Sequence, residues 1–349
     1  MEKRHTLQDL MELQALPLNL KVRLTQQRIR EWVGHYGQDG VYVSFSGGKD
    51  STVLVDIVTK MGYTNIPLVF VDTGLEYPEI REFVSGYGDR VTWLKPKKNF
   101  KQVIDEYGYP FISKEVADTV KGAKKGQRTR IEKLLGTNRM KNGELSHFNK
   151  KKWRFLLDAP FEVDSYCCDV MKKSPTKHYE KQTGRKPIIG QMACESRKRT
   201  DAWLHTSCNA FNGKRPQSNP IAFWTEQDVL RYIKQNNLPI CVVYGDVVED
   251  LDGTEHVQGQ LTMSDVPGWE SQGAFDADRL PLKTTGCKRT GCMFCGFGCH
   301  FPDDDRFVLM KETHPKQYEW IMKPKEQGGL GYKEVIDWIN ANGNVQIKY

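Results

Sequence analysis

No apolar run in this sequence approaches the ~20 residues that a bilayer span requires. The opening Met1-Glu2-Lys3-Arg4-His5 leads into a mixed polar helix, without the apolar core of a signal peptide. There is no internal repeat, which argues against a solenoid or propeller. Charge of neither sign dominates: 51 Lys and Arg stand against 44 Asp and Glu, for a net +7 over 349 residues. That balance permits a nucleic-acid partner without demanding one. The nine cysteines lack the even spread of an extracellular disulfide framework, because four crowd between Cys287 and Cys299. Thiols used for metal or chemistry in a reducing cytoplasm are the expectation, and the length is enough for one large or two ordinary domains.

Hydrophobic periodicity supplies the elements. Residues 18–36 form an amphipathic helical pattern, with Leu20, Leu24, Ile29, Trp32 and Val33 on one face. Val41–Phe45 is a short buried-strand pattern, Ser51–Met61 is helical, and Pro67–Asp72 ("PLVFVD") is a second apolar strand. Strand, helix and strand within about thirty residues make a βαβ unit, whose strands suit a parallel sheet covered by helices. "PIIG" at Pro187–Gly190 is a further strand, and Thr225 with Asp228 three residues on caps a helix over Thr225–Gln235. From Lys114 to Arg154 the chain is dense in Lys and Arg and reads as a basic, partly helical excursion off the sheet, either a solvated face or a contact surface for phosphates or nucleic acid. Gly245–Gly273 is acidic and loop-like.

The chemistry centres on "VSFSGGKDST", where a strand turns into a helix. The carboxyl edge of a parallel sheet is the usual ligand site of open α/β folds. Gly47 and Gly48 let backbone amides converge on an anion, and the helix presents its positive end to the same point. Ser46, Ser51 and Thr52 add hydroxyls, and Lys49 adds a counter-charge. The spacing is neither GxxxxGK(S/T) nor GxGxxG. A phosphate seat formed by Ser44, Phe45, Ser46, Gly47, Gly48, Asp50, Ser51 and Thr52 is the expectation.

"SFSGGKDST" is similar to the signature of the ATP-pyrophosphatase (PP-loop) superfamily, whose members cleave ATP between the α and β phosphates. Three more stretches, "VFVDTGLEYPE" (Val69–Glu79), "GQMACESRKR" (Gly190–Arg199) and "NPIAFWTEQDVLRYI" (Asn219–Ile233), resemble its phosphoadenosine phosphosulfate (PAPS) reductase branch. That branch includes the sulfate adenylyltransferase small subunit and the DNA-phosphorothioation sulfurtransferase. The resemblance covers residues ~40–240. It implies an α/β fold, a Rossmann-like parallel sheet (adenine nucleotide alpha-hydrolase-like), with a C-terminal cysteine-rich metal-binding segment. It also implies a nucleoside role for Asp72 and Thr73 and anion contacts from Arg199 and Glu195. True PAPS and adenylyl sulfate (APS) reductases usually lose the Lys-Asp pair, whereas Lys49 and Asp50 are present here, as a triphosphate with Mg2+ would require. Those reductases also carry a nucleophilic cysteine near the C-terminus, but no cysteine follows Cys299.

"GCKRTGCMFCGFGCH" places Cys287, Cys292, Cys295 and Cys299 close together, suited to a tetrahedral zinc or a 4Fe–4S cluster. The uneven gaps favour the cluster, and the phosphorothioation enzyme carries a similar one. "SYCCDVMKKSP" offers a competing scheme: Cys167-Cys168 resembles the double cysteine of APS reductases, which binds a cluster with a distant Cys-x-x-Cys, here Cys292 and Cys295. Loop-closure entropy favours the four local cysteines. A mixed set with Cys168 in place of Cys287 would release a thiolate nucleophile.

The organisation expected is an N-terminal helical segment (1–36), a nucleotide-binding domain (37–245) with the basic insertion (114–154), an acidic loop (246–280) and an iron–sulfur segment (281–349). The function expected is that of an ATP-pyrophosphatase-type sulfurtransferase using ATP (or PAPS or APS), Mg2+ and a 4Fe–4S cluster, with Lys49, Asp50, Arg199 and Cys168 in catalysis. The acceptor would be RNA, DNA or a small metabolite, and sulfur would come from a donor protein such as a cysteine desulfurase. The alternatives are a PAPS or APS reductase and a nucleic-acid-binding regulator without turnover.

Overall fold

A computed structural model describes residues 3–250 and 280–349. Most of the acidic loop expected over 246–280 therefore lies outside the described residues. The chain divides into two compact units. One comprises the described residues of 1–72, 77–94 and 176–290; the other comprises 73–76, 95–175 and 291–349.

The first unit is built on a six-stranded sheet in the order Val91–Leu94, Leu68–Val71, Val41–Ser44, Lys186–Ile189, Gln217–Ser218, Asn209–Ala210. All neighbours run parallel except the final pair. Val43 sits opposite both Leu68 and Ile188, so the central strand is apolar on each flank. The helix Leu18–Tyr36 buries Lys21, Thr25, Ile29, Trp32 and Val33, the spacing of one helical face. Thr25 and Trp32 are fully enclosed, and Thr25 Oγ1 accepts from the Trp224 indole at 3.0 Å. Lys21 is buried too and donates to Asp228 Oδ2 at 2.7 Å. Asp228 also closes the capping box with Thr225, as its sequence position predicts, and the helix runs Glu226–Asn236. The α/β class with a mainly parallel sheet is thus present. Two strands, Val91–Leu94 and Asn209–Ala210, carry no clear apolar pattern of their own and are fixed by their neighbours.

The second unit is mainly helical. Its core is aromatic: Tyr332 lies 5.0 Å from Phe111 and 5.7 Å from Tyr109 between ring centroids. The Tyr332 hydroxyl donates to the Phe294 carbonyl at 2.6 Å, and Tyr109 donates to Leu330 at 2.7 Å. Phe111–Ile112 pairs in parallel with Gly296–Phe297, which ties the cysteine-bearing segment to this core. The basic excursion forms the helices Lys114–Lys124 and Arg128–Leu135 and the 3-10 segment Lys151–Asp158. Among the described residues, no helix is long and apolar enough to cross a membrane.

Candidate functional site

The strand Val41–Ser44 delivers the chain to a loop at the sheet's carboxyl edge, and the helix Lys49–Lys60 leaves it. That helix begins two residues earlier than its apolar pattern suggests. Ser51 Oγ and Thr52 Oγ1 both donate to the Gly48 carbonyl, at 2.9 and 3.0 Å, drawing Lys49 and Asp50 into the first turn. Ser46 and Ser51 share a hydroxyl contact of 3.0 Å across the loop. Phe45 points its ring into the core, 4.8 Å from Tyr87, and its amide donates to the Val69 carbonyl at 2.9 Å.

Gly47 takes a φ of +70°, and a Cβ there would meet the Ile80 and Val84 methyls at 2.9 Å. The backbone and the space both require glycine. Gly47→Ala is expected to cost about 1–3 kcal/mol, read by denaturant titration; a neutral outcome would show that the loop adapts.

Lys49 is 3% exposed, and its ammonium bonds Glu226 and the Lys288 carbonyl. The Lys49 amide donates to the Tyr244 hydroxyl at 3.3 Å, and that hydroxyl contacts Thr290 Oγ1. Burial raises Tyr244 to about 12. Glu195 receives the Met192 amide at 2.8 Å, ion-pairs with Arg199, and lies 3.5 Å from Arg289. Burial, then repulsion from Arg289, lowers Arg199, a group that still stays charged. Asp50 Oδ1 is enclosed with no hydrogen-bond partner. Burial raises the Asp50 carboxyl; Lys49 opposes the rise, Glu226 adds to it, and Arg289 and Arg199 pull it down. Lys49, Asp50, Glu195, Arg199, Glu226 and Arg289 thus form one electrostatic group around the helix start. Glu226, Tyr244, Arg289 and Thr290 were not legible as site residues. Arg289 hides between two cysteines, and the only cue to Glu226 is its place in a helix's first turn.

Asp72, just past the strand Leu68–Val71, ion-pairs with Arg81 at 2.9 Å. In the second unit, Thr73 donates through its amide at 3.0 Å and its hydroxyl at 2.8 Å to Glu76, which lies 3.6 Å from Lys172.

The cysteines divide. Cys287 belongs to the first unit, its amide donating to Val243 at 2.9 Å and its thiol held up by burial against a hydrogen bond with Tyr77. Cys292, Cys295 and Cys299 belong to the second, with Cys167 and Cys168. Cys168 precedes a π-helical turn, Asp169–Lys173, a feature common at functional sites. A hydrogen bond from Cys167 holds the Cys168 thiol low despite burial, aided by Lys114 and Lys172. Cys167 is raised by that bond, by burial and by the charges of Cys168, Cys295 and Cys292. Burial raises Cys292 to about 11 and Cys299 to about 12. Burial pushes the Lys172 ammonium down, but Cys292 and Glu76 outweigh it and hold it up. Among the described residues, no three Cys, His, Asp or Glu side chains converge on a point fit for a single metal ion.

The loop Ser46–Thr52 thus lies at the carboxyl edge of a mainly parallel α/β sheet, with Lys49, Arg199 and Arg289 acting on Asp50 at its helix start. A family model of the phosphoadenosine phosphosulfate reductase domain matches residues 40–139 and 115–296, and the chain belongs to that family. It is similar to sulfate adenylyltransferase subunit 2 of Phocaeicola vulgatus, 22% identical over 298 residues that cover 82% of this chain and 83% of that protein. The same subunit of Proteus mirabilis is 24% identical over 224 residues, 62% of this chain and 63% of that one. An uncharacterized protein of Methanocaldococcus jannaschii is 39% identical over 74 residues, 20% of this chain and 15% of that protein. The crystal structure of a PAPS reductase from Candida auris, a phosphate complex, overlaps with a TM-score of 0.36 at 15% identity, covering 62% of this chain and 82% of that chain.

Proposed function

We propose that the protein binds ATP at the Ser46–Thr52 loop and cleaves it between the α and β phosphates, activating an acceptor for sulfur transfer. The observation that carries this reading is the enclosed, unpartnered Asp50 Oδ1 beside Lys49, Arg199 and Arg289. Three cations suit a triphosphate, and a lone carboxylate oxygen suits the hard cation that accompanies it. In the first step an acceptor oxygen attacks the α-phosphorus, the bond to the bridging oxygen breaks, and pyrophosphate leaves with that electron pair. Lys49, Arg199 and Arg289 offset the charge that grows on the phosphates. In the second, a sulfur nucleophile displaces AMP from the adenylated acceptor. The nucleophile is the terminal sulfur of a cysteine persulfide brought by a donor protein such as a cysteine desulfurase; a thiolate of this chain then attacks the inner sulfur, the S–S bond breaks to leave the sulfur on the acceptor, and an external thiol reduces the disulfide that forms.

In this reading a 4Fe–4S cluster would be held by thiols of the second unit. Zinc needs four ligands at about 2.0–2.3 Å from one point, whereas a cubane offers each thiolate a separate iron. Cys167, Cys168, Cys292 and Cys295 act on one another electrostatically within the second unit and are the thiols that would hold it. Bound there, the cluster would supply an iron–sulfide surface for handling sulfur or tuning the nearby thiolates.

Pyrophosphate release from ATP, screened against RNA, DNA and sulfate as acceptors, tests the reading. Sulfite from PAPS or APS with a thiol reductant, and no pyrophosphate, would replace it with the reductase reading. Asp50→Asn is expected to cut Mg2+-dependent release about 100-fold or more while metal-free nucleotide still binds. The cation needs the ionised carboxylate and burial favours the protonated one, so wild-type activity should fall on acidification at a pH above the usual carboxylate range. An acid limb unchanged in a variant lacking Asp50 would remove Asp50 from this role.

A further inference from the structure

The basic excursion of the second unit is not used by the nucleotide chemistry. Between Lys114 and Arg154 it holds thirteen Lys and Arg against four Asp and Glu. Part of the excess is neutralised: Arg128 pairs with Glu132, Arg130 with Asp118 and Lys150 with Glu115. Lys133, Arg139, Lys141, Lys151, Lys152 and Arg154 have no carboxylate partner among the described residues.

Backbone contacts gather these cations. The Ser146 amide donates to Asn138 at 2.9 Å and Met140 to Glu144 at 2.8 Å, closing a hairpin that carries Arg139 and Lys141. The Lys150 amide donates to the Lys133 carbonyl at 2.7 Å, and Asn149 Nδ2 donates to Gly136 at 3.1 Å. A Cβ at Gly136 would stand 3.4 Å from the stem of Lys151, so that side chain lies along the same turn. In the same segment Phe148 is 53% exposed, with the Lys133 ammonium 5.8 Å from its ring centre. Leu145 beside it is 55% exposed.

A merely solvated face would interleave both signs and keep large apolar side chains few. An acidic protein would satisfy the cations but leaves a bare ring unexplained. A duplex satisfies them too, yet keeps its base faces stacked inside. Cations that track phosphates around an aromatic platform that accepts a base are the two parts of a single-strand site.

We propose that this hairpin surface binds single-stranded polynucleotide, with phosphates on Lys133, Arg139, Lys151 and Lys152 and a base on Phe148. The inference names the acceptor class of the proposed activity and rests on that reading only for what happens to the strand, not for its binding.

The test is fluorescence anisotropy of the full chain without ATP, using labelled oligo-dT and oligo-U of about 20 nucleotides and a duplex of equal length. Single strands are expected to bind, with log K falling against log salt at a slope of roughly −2 to −4, or about −0.7 for each phosphate neutralised. A preference for one sugar identifies the natural strand and supports the proposal. Phe148→Ala should weaken binding about 5–100-fold with the slope unchanged, the stacking share of one base. Lys151→Glu with Lys152→Glu should flatten the slope. The double variant Lys49→Met with Glu226→Leu, which removes one cation of the nucleotide site without stranding its buried partner, should leave strand binding intact, so failure of the adenylate reading is seen separately. Equal or tighter duplex binding, an inert Phe148→Ala, displacement by polyglutamate as readily as by polynucleotide, or no binding at about 50 mM salt would each overturn the proposal.

Discussion

Lys49→Met is expected to cost about 3–5 kcal/mol of stability and to reduce pyrophosphate release about 100–1,000-fold. The lysine is almost fully enclosed, and its partner Glu226 has a side chain only 12% exposed. Removing the cation strands that carboxylate and takes one donor from the Lys288 carbonyl. Against a typical total of about 5–15 kcal/mol, the loss should be plain in a thermal melt. The double variant Lys49→Met with Glu226→Leu separates the two roles. Replacing both members of a buried pair by apolar groups is often close to neutral, so the melt should recover while turnover stays low. If turnover recovers with the melt, Lys49 is a structural residue and not an anion contact.

The second large effect concerns iron. Cys168→Ser and Cys292→Ser are each expected to abolish the thiolate-to-iron absorption and the roughly four irons per chain of an anaerobically purified protein. Cys287→Ser should retain both. Cys168 acts on Cys292 within the second unit, and Cys287 is anchored to Val243 and Tyr77. Loss of iron in Cys287→Ser and its survival in Cys168→Ser would return the ligands to the local run of Cys287, Cys292, Cys295 and Cys299. A thermal melt of each variant separates ligand loss from failure to fold.

Local pattern carried the sheet domain far. The buried face of Leu18–Tyr36 repeats at helical spacing, and the apolar runs around Val43, Phe70 and Ile188 are strands because both their faces are covered. Thr225 and Asp228 announced their helix. The strand Val91–Leu94 is illegible because Thr92 and Leu94 are only partly buried and the apolar Trp93 is exposed, so it lacks a contrast between faces. The site was half legible for a similar reason. Residues contiguous with the loop, Ser46 to Thr52, declare themselves by type and spacing. Glu226, Tyr244 and Arg289 stand far along the chain and reach the loop only through tertiary folding, as does the Lys49–Glu226 pair.

The phenol of Tyr244 occupies the Lys49 amide. An anion that takes this amide must displace a neutral oxygen held at 3.3 Å. A phosphoryl oxygen, charged and geometrically matched, gains the roughly twofold advantage of a charge-assisted bond. Under the nucleotide reading, that phenol would be released from the amide as a phosphate arrives.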